Sequence, residues 1–262
     1  MLNHVLIVAR KELMDALRDS RALVSALLYS LLGPGVVFMV SIALKNKTQT
    51  GANDGVLIGM MAVFTLVSAF VGGMSVAMDV LAGERERRSL LPLLITPITR
   101  RDLVFGKWLA ISFFTTGGLL VNLVGFAAVF ATAHMAMPGN VPRLLLALLC
   151  GLVPLALFAA AIELAISTIC RAVKETQTYL SLVTFLPMGL GMFLVFFPGA
   201  AHAWWRIAPV AGQQLLLESW MRGREAPVLE SLILGLFTLA SAVCLLLYAA
   251  NRLEQDDVVY GS

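Results

Sequence analysis

Six long apolar runs fix what this chain can become. Ala22–Leu44, Val56–Met78, Leu109–Ala131, Leu144–Cys170, Tyr179–Phe197 and Leu232–Ala250 all come close to or exceed the roughly 20 residues that a helix needs to cross a hydrocarbon layer about 30 Å thick. Inside a bilayer the main chain must satisfy its own hydrogen bonds, so such runs fold as helices. Of 262 residues, 59% are hydrophobic and only 13% charged, which leaves little chain for a soluble catalytic domain. The sequence therefore predicts an all-α integral membrane protein with six transmembrane helices.

The first run does not read as a cleavable signal. About twenty polar-rich residues precede it, and it is longer than the roughly 7–15 apolar residues of a secretory signal. Within that leading stretch Leu2, Leu6, Ala9, Leu13 and Leu17 recur at helical spacing among Arg10, Lys11, Asp15, Arg18 and Asp19. Residues 1–21 thus read as an amphipathic helix, either lying in the membrane interface or packed on a partner. Residues 22–262 form the membrane domain.

Charge sets the orientation. With the N-terminus inside, thirteen of the nineteen Lys and Arg residues fall on the inner side. Lys45, Lys47, Arg143, Arg206, Arg222 and Arg224 fall outside. The positive-inside rule then places both termini in the cytoplasm. The net charge of +3 is spread over loops, with no groove of stacking aromatics, so nucleic acid is not an expected partner.

Six of the basic residues crowd into one polar island between the second and third runs: Arg85, Arg87, Arg88, Arg100, Arg101 and Lys107. Ala82-Gly83 loosens the helix before it. Ser89, Pro92 and Pro97 delimit a short apolar helix containing Leu90, Leu91 and Leu94. Thr99 and Asp102 have the spacing of a capping box that starts the next helix. A short apolar helix between charged flanks suits docking into a partner's pocket. A basic loop held to anionic lipid is the alternative.

Other features are local. Gly33-Pro34-Gly35 in the first run and Pro187, Gly189 and Gly191 in the fifth favour bends. Lys174-Glu175-Thr176-Gln177 makes a tight inner turn between the fourth and fifth runs. From Pro198 to Glu230 a half-apolar segment carrying Trp204, Trp205 and Gln213–Leu217 suggests short helices dipping into the outer leaflet. The three cysteines, Cys150, Cys170 and Cys244, lie in apolar runs and suggest neither a disulfide nor a metal site.

Enzymatic machinery is hard to find. No G-x-x-x-x-G-K-[ST] loop occurs, since Arg101 stands where the first glycine before Gly106-Lys107 is needed. His4, His134 and His202 are far apart in sequence. Glu163 is the one ionisable residue well inside a run. A carboxylate at mid-membrane costs about 3 kcal/mol on insertion scales, so it reads as a cation ligand, a proton acceptor or a structural hydrogen-bonding group.

Ala9-Arg10-Lys11-Glu12-Leu13 with Leu17-Arg18-Asp19, the island E-R-E-R-R-S-L-L-P-L-L-I-T-P-I-T-R-R-D-L-V-F-G-K, the Lys174–Gln177 turn with Tyr179 and the Pro209 segment occur in an informative order. Together they resemble the type-2 ABC export permeases, and among them the NatB-like sodium-efflux branch. The resemblance implies a permease in a bacterial inner membrane that pairs with a second copy, most simply as a homodimer. It implies two ATP-binding subunits carrying ATP and magnesium, with no cofactor on this chain. It also implies a coupling helix at about residues 84–101, using Glu84, Arg85, Glu86, Arg87, Arg88, Leu90, Leu91, Leu94, Arg100 and Arg101. Lys174, Glu175 and Gln177 would form an inner-turn motif, and Glu163 a contact for a cationic cargo. The expected cargo is sodium, another small cation or an amphipathic compound. NatB-like members often carry a large outer domain after the first span, where this chain has only Lys45–Gly55. A membrane scaffold or assembly subunit coupled to an ATPase, with no transport path of its own, is the rival class.

Overall fold

The computed structural model describes residues 2–45, 50–89, 98–133, 148–197, 199, 202–223 and 228–253. Among them there is no strand. In chain order come α1 (Leu2–Arg18), α2 (Ser20–Lys45), α3 (Thr50–Val71), α4 (Met74–Met78), a π-helical turn (Asp79–Gly83) and α5 (Glu84–Glu86). They are followed by α6 (Arg100–Ala133), a second π-helical turn (Leu148–Leu152), α7 (Val153–Ile169), α8 (Val173–Phe196), a 3-10 turn (Ala203–Arg206), α9 (Ala211–Met221) and α10 (Val228–Leu253).

Six stretches are long and apolar enough to span a membrane: Ser20–Ala43, Gly55–Glu86, Arg100–Thr132, Cys150–Ile169, Val173–Phe196 and Val228–Leu253. They coincide with the six predicted runs, but several reach further. The second continues to Glu86 rather than Met78, the third starts at Arg100 rather than Leu109, and the fifth at Val173 rather than Tyr179. Hydropathy registers the apolar core of a helix, whereas its ends are set by caps. Thr99 is one: its hydroxyl accepts the Asp102 N–H at 3.2 Å, half of the expected capping box.

The end of the bundle carrying α1, residues 84–89 and 98–101 and the last residues of α10 is its base. α6 and α7 form the centre. Ala156, Ala159, Ala160 and Ala161 on α7 are fully buried, and such small side chains let neighbouring helices approach closely. Near the base the core joins Leu81, Val104, Ile111, Leu164, Leu246 and Leu253. Near the opposite end Val37, Met61 and Phe126 make a second cluster. Outer faces of α2, α8 and α10 expose large apolar side chains such as Leu28, Phe185 and Leu236, as a lipid-facing surface does.

α2 passes unbroken through Gly33-Pro34-Gly35. Proline removes the N–H that would bond the carbonyl four residues earlier, here Ser30. That carbonyl instead accepts from the Asn122 amide of α6 at 3.0 Å. α8 likewise continues through Pro187. α9 is a short helix buried on one side within the bundle. Gln213 donates to Thr238 Oγ1 at 2.8 Å and Gln214 to the Gly191 carbonyl at 2.9 Å, as polar groups in an apolar interior must.

α1 is tied to the bundle along one face. Val8 and Glu12 are buried and Val5, Ala9, Leu13 and Ala16 partly so, while Leu6, Ile7, Met14 and Leu17 remain exposed. The predicted stripe of Leu6, Ala9, Leu13 and Leu17 is therefore divided between two faces. Contact with α6 is close enough that a Cβ on Gly106 would lie 2.6 Å from Val8 Cβ.

Candidate functional site

The buried face of α1 carries a charge at its middle, and that charge has a partner. Lys107 of α6 is completely buried. Its ammonium lies 2.9 Å from Glu12 Oε1 and 2.8 Å from Glu84 Oε1, and donates to the Val80 carbonyl at 2.7 Å. A lysine has three N–H donors, and three acceptors surround this one. Lys11 adds a second positive charge, 3.3 Å from Glu12 and 3.8 Å from Glu84. Burial pulls the Lys11 ammonium down, but Glu12, Glu84 and Asp15 outweigh it and hold it above the ordinary lysine value.

Two lysines and two glutamates thus form a neutral cluster joining α1, the end of the second span and the start of the third. Removing one partner from such a cluster typically costs about 3–5 kcal/mol, because a buried charge is left uncompensated. Each member of the cluster therefore depends on the others being present.

The π-helical turn Asp79–Gly83 explains why Lys107 can reach the main chain. A π turn displaces backbone groups from the regular ladder. Lys107 holds the Val80 carbonyl from α6, and Ser167 Oγ of α7 accepts the Ala82 N–H at 3.2 Å. The irregular end of the second span is thus gripped from two sides.

The sequence-predicted coupling residues divide into two groups. Glu84 is part of the cluster. Arg85 donates to the Thr168 carbonyl at 3.0 Å and to the Cys170 carbonyl, at the C-terminal end of α7, where a cation complements the helix dipole. Glu86 accepts the Val173 N–H at 2.9 Å, at the start of α8. Arg100 donates to the Leu253 carbonyl at the end of α10. Arg87 pairs with Asp79 at 2.7 Å, and this bond raises the guanidinium above its usual value.

Arg88 and Arg101 are exposed. Arg88 has a left-handed backbone, φ 57°, and closes the helix in a Schellman turn: Arg88 N–H bonds the Arg85 carbonyl at 3.0 Å and Ser89 N–H the Glu84 carbonyl at 2.8 Å. Glycine is the usual occupant of that position. Leu90, Leu91 and Leu94 lie outside the described residues. Lys174, Glu175 and Gln177, expected in the inner turn, instead lie exposed on the first turns of α8, and the turn is confined to residues 170–172; Glu175 accepts the Arg171 N–H at 2.8 Å, which tightens it.

Glu163 lies apart from the cluster, buried on α7 at 1% exposure. Ser167, one turn along, makes its bond to Ala82. Lys11, Glu12, Ser167 and Lys107 are site residues that the sequence does not single out as such. A signal existed: Glu12 is spaced with Val5, Val8, Ala9 and Ala16, and Lys107 with Val104, Ala110 and Ile111. In both helices a charge falls on the apolar face.

Six apolar spans whose base is closed by intrachain ion pairs and helix caps define a polytopic α-helical membrane protein. Residues 6–252 match the ABC-2 family transporter protein family, and the chain belongs to that family. It is 34% identical over 160 residues to the ABC transporter permease protein NatB of Bacillus subtilis (strain 168), covering 56% of this chain and 40% of NatB. It is 30% identical over 144 residues to the probable ABC transporter permease protein NosY of Pseudomonas aeruginosa, covering 55% of this chain and 49% of NosY. The chain thus spans less than half the length of each of these curated relatives.

Proposed function

We propose that this chain is the membrane-spanning permease subunit of an ATP-driven transporter, powered by separate ATP-binding subunits on the side of the base. The observation that carries this reading is the anchoring of the two described ends of the coupling segment, residues 84–89 and 98–101. One root bonds the end of α7 through Arg85, the start of α8 through Glu86, and α1 and α6 through Glu84. The other bonds the end of α10 through Arg100. A push on this segment reaches every one of those elements, as a lever must. Arg88 and Arg101, exposed at its edges, are the groups left to meet an acidic partner surface.

In this reading the base faces the cytoplasm of a bacterial cell, and both termini lie there. Two ATP-binding subunits bind ATP and magnesium, and a second copy of the permease completes the pathway. The cargo class follows the family resemblance: sodium, another small cation or an amphipathic compound.

The test is ATPase turnover by the chain purified with its ATP-binding subunit. Charge reversal at both Arg88 and Arg101 is expected to lower permease-dependent turnover at least about tenfold, as loss of 1.4 kcal/mol of contact would. Turnover equal to wild type would refute the docking role.

A further inference from the structure

Glu163 has no hydrogen-bond partner for either carboxyl oxygen among the described residues. One oxygen rests against bare backbone. A Cβ placed on Gly73, in the break between α3 and α4, would lie 2.7 Å from Glu163 Oε2 and would also collide with Thr115 Oγ1 of α6. Thr115 is fully buried, and its hydroxyl donates to the Ile111 carbonyl at 3.0 Å, which leaves its oxygen lone pairs facing Gly73. Glu163 Oε2 and the Thr115 hydroxyl oxygen therefore converge on Gly73, where Ile111 Cγ2 lines the remaining side.

An ionised carboxylate with neither donor nor countercharge is too expensive to persist in an apolar interior. No charged side chain of the neighbouring elements supplies one. α4 and the described side chains of α3 have none. Asp79 on the π turn pairs with Arg87, while Glu84 and Lys107 are joined to each other. Arg85 is spent on the end of α7. The other charges of α6 are Arg100, Arg101 and Asp102 in its first turn. Those of α8 are Lys174 and Glu175 in its first turn, and those of α10 are Glu230 and Arg252 at its two ends.

We propose that Glu163, with Thr115 and the backbone at Gly73, forms a binding site for a single monovalent cation, the proton included. One negative charge is balanced by one positive charge, whereas a divalent ion would leave a net charge buried. Oxygen donors alone suit a hard ion. Occupancy bears on the seating of the second span. Glu163 meets the second span at Gly73, and Ser167, one turn further along α7, holds the same span at Ala82. Neutralising Glu163 therefore fixes how the α4 and π-turn segment seats against α7.

This inference concerns the isolated chain and rests on the permease reading only for its apolar surroundings. The test is thermal unfolding of the purified full chain in detergent, without any ATP-binding subunit. The pH is varied in choline salt, then sodium, lithium or potassium replaces choline at equal ionic strength. A carboxyl neutral in the fold and ionised in the unfolded chain stabilises at low pH and loses that stability as pH rises. The wild-type midpoint is expected to fall by about 3 °C or more as pH rises. Recovery with a metal cation identifies that ion as the ligand, and its absence identifies the proton. Glu163→Gln is expected to remove the cation dependence and to reduce the fall of the midpoint with pH.

Equal pH and cation responses in wild type and Glu163→Gln overturn the proposal. If the variant does not fold, wild-type protein is treated with a hydrophobic carbodiimide and the adduct located by mass. Labelling at Glu163 that declines with rising pH or added cation supports the site. Labelling indifferent to both, or none, overturns it. Failure here leaves ATPase coupling standing, and failed coupling leaves this site standing.

Discussion

The side-chain amide of Asn122 occupies the place of a missing backbone N–H, donating at 3.0 Å to the Ser30 carbonyl that Pro34 leaves without its helical partner. Gly125 lies one turn along α6 from Asn122 and admits the Pro34 ring, since a Cβ there would stand 2.6 Å from Pro34 Cγ. The bond replaces a local interaction with one between two spans. Asn122→Ala is expected to cost about 1–3 kcal/mol by orphaning a buried carbonyl. In a Pro34→Ala background, where the backbone N–H returns, the same change is expected to cost measurably less. Unfolding of the four proteins of this cycle in a denaturing detergent gives the coupling. Strict additivity would show that the amide is not compensating for the proline.

The cluster around Lys107 gives a second expectation. Lys107→Met leaves Glu12 and Glu84 buried and facing one another, with only the half-exposed Lys11 nearby. Stability is expected to fall by about 3–5 kcal/mol. Adding Glu12→Gln and Glu84→Gln to Lys107→Met is expected to recover most of that loss, since no uncompensated charge remains. Yield of folded protein and the unfolding midpoint both report it.

Arg88 separates stability from function. Its left-handed backbone disfavours an L side chain by about 1–2 kcal/mol and suits glycine. Arg88→Gly is therefore expected to raise the unfolding midpoint slightly. On the docking reading the same substitution reduces permease-dependent ATPase turnover. A variant that is less stable than wild type would show that the arginine side chain supports the fold itself.

Orientation is open to direct measurement. Single cysteines placed at Ser89 and at Gly223, in a background lacking Cys150, Cys170 and Cys244, sit at opposite ends of the bundle. An impermeant thiol reagent applied to intact cells is expected to label the Gly223 position and spare the Ser89 position until the membrane is opened. The reverse pattern would put the lever on the outside and end the ATPase reading.

The number and place of the spans were readable because an apolar run of the right length has few other folds available. Their ends were not. Glu84 and Arg100 look like loop residues by polarity, yet Glu84 is held helical by Lys107, and Arg100 stands in the first turn capped by Thr99. The cluster itself joins residues far apart in the chain, so only the phase of Glu12 and Lys107 on their helices hinted at it. The island reads in the sequence as a short apolar helix whose charged flanks meet a partner or lipid. Arg85, Glu86 and Arg100 are instead taken up by the ends of α7, α8 and α10, whose unpaired carbonyls and N–H groups attract them. Glu163 stood out by its charge alone, whereas Gly73 and Thr115 carry no sequence signature.

The bond between Glu12 and Lys107 spans 95 residues, and that distance sets a timetable for biogenesis. At about 5–20 residues per second, the ribosome makes the glutamate roughly 5–20 s before the lysine that neutralises it. During that interval the Glu12 carboxylate lacks the ammonium that accompanies its burial. The seat of α1 is therefore complete only once the start of the third span has been made.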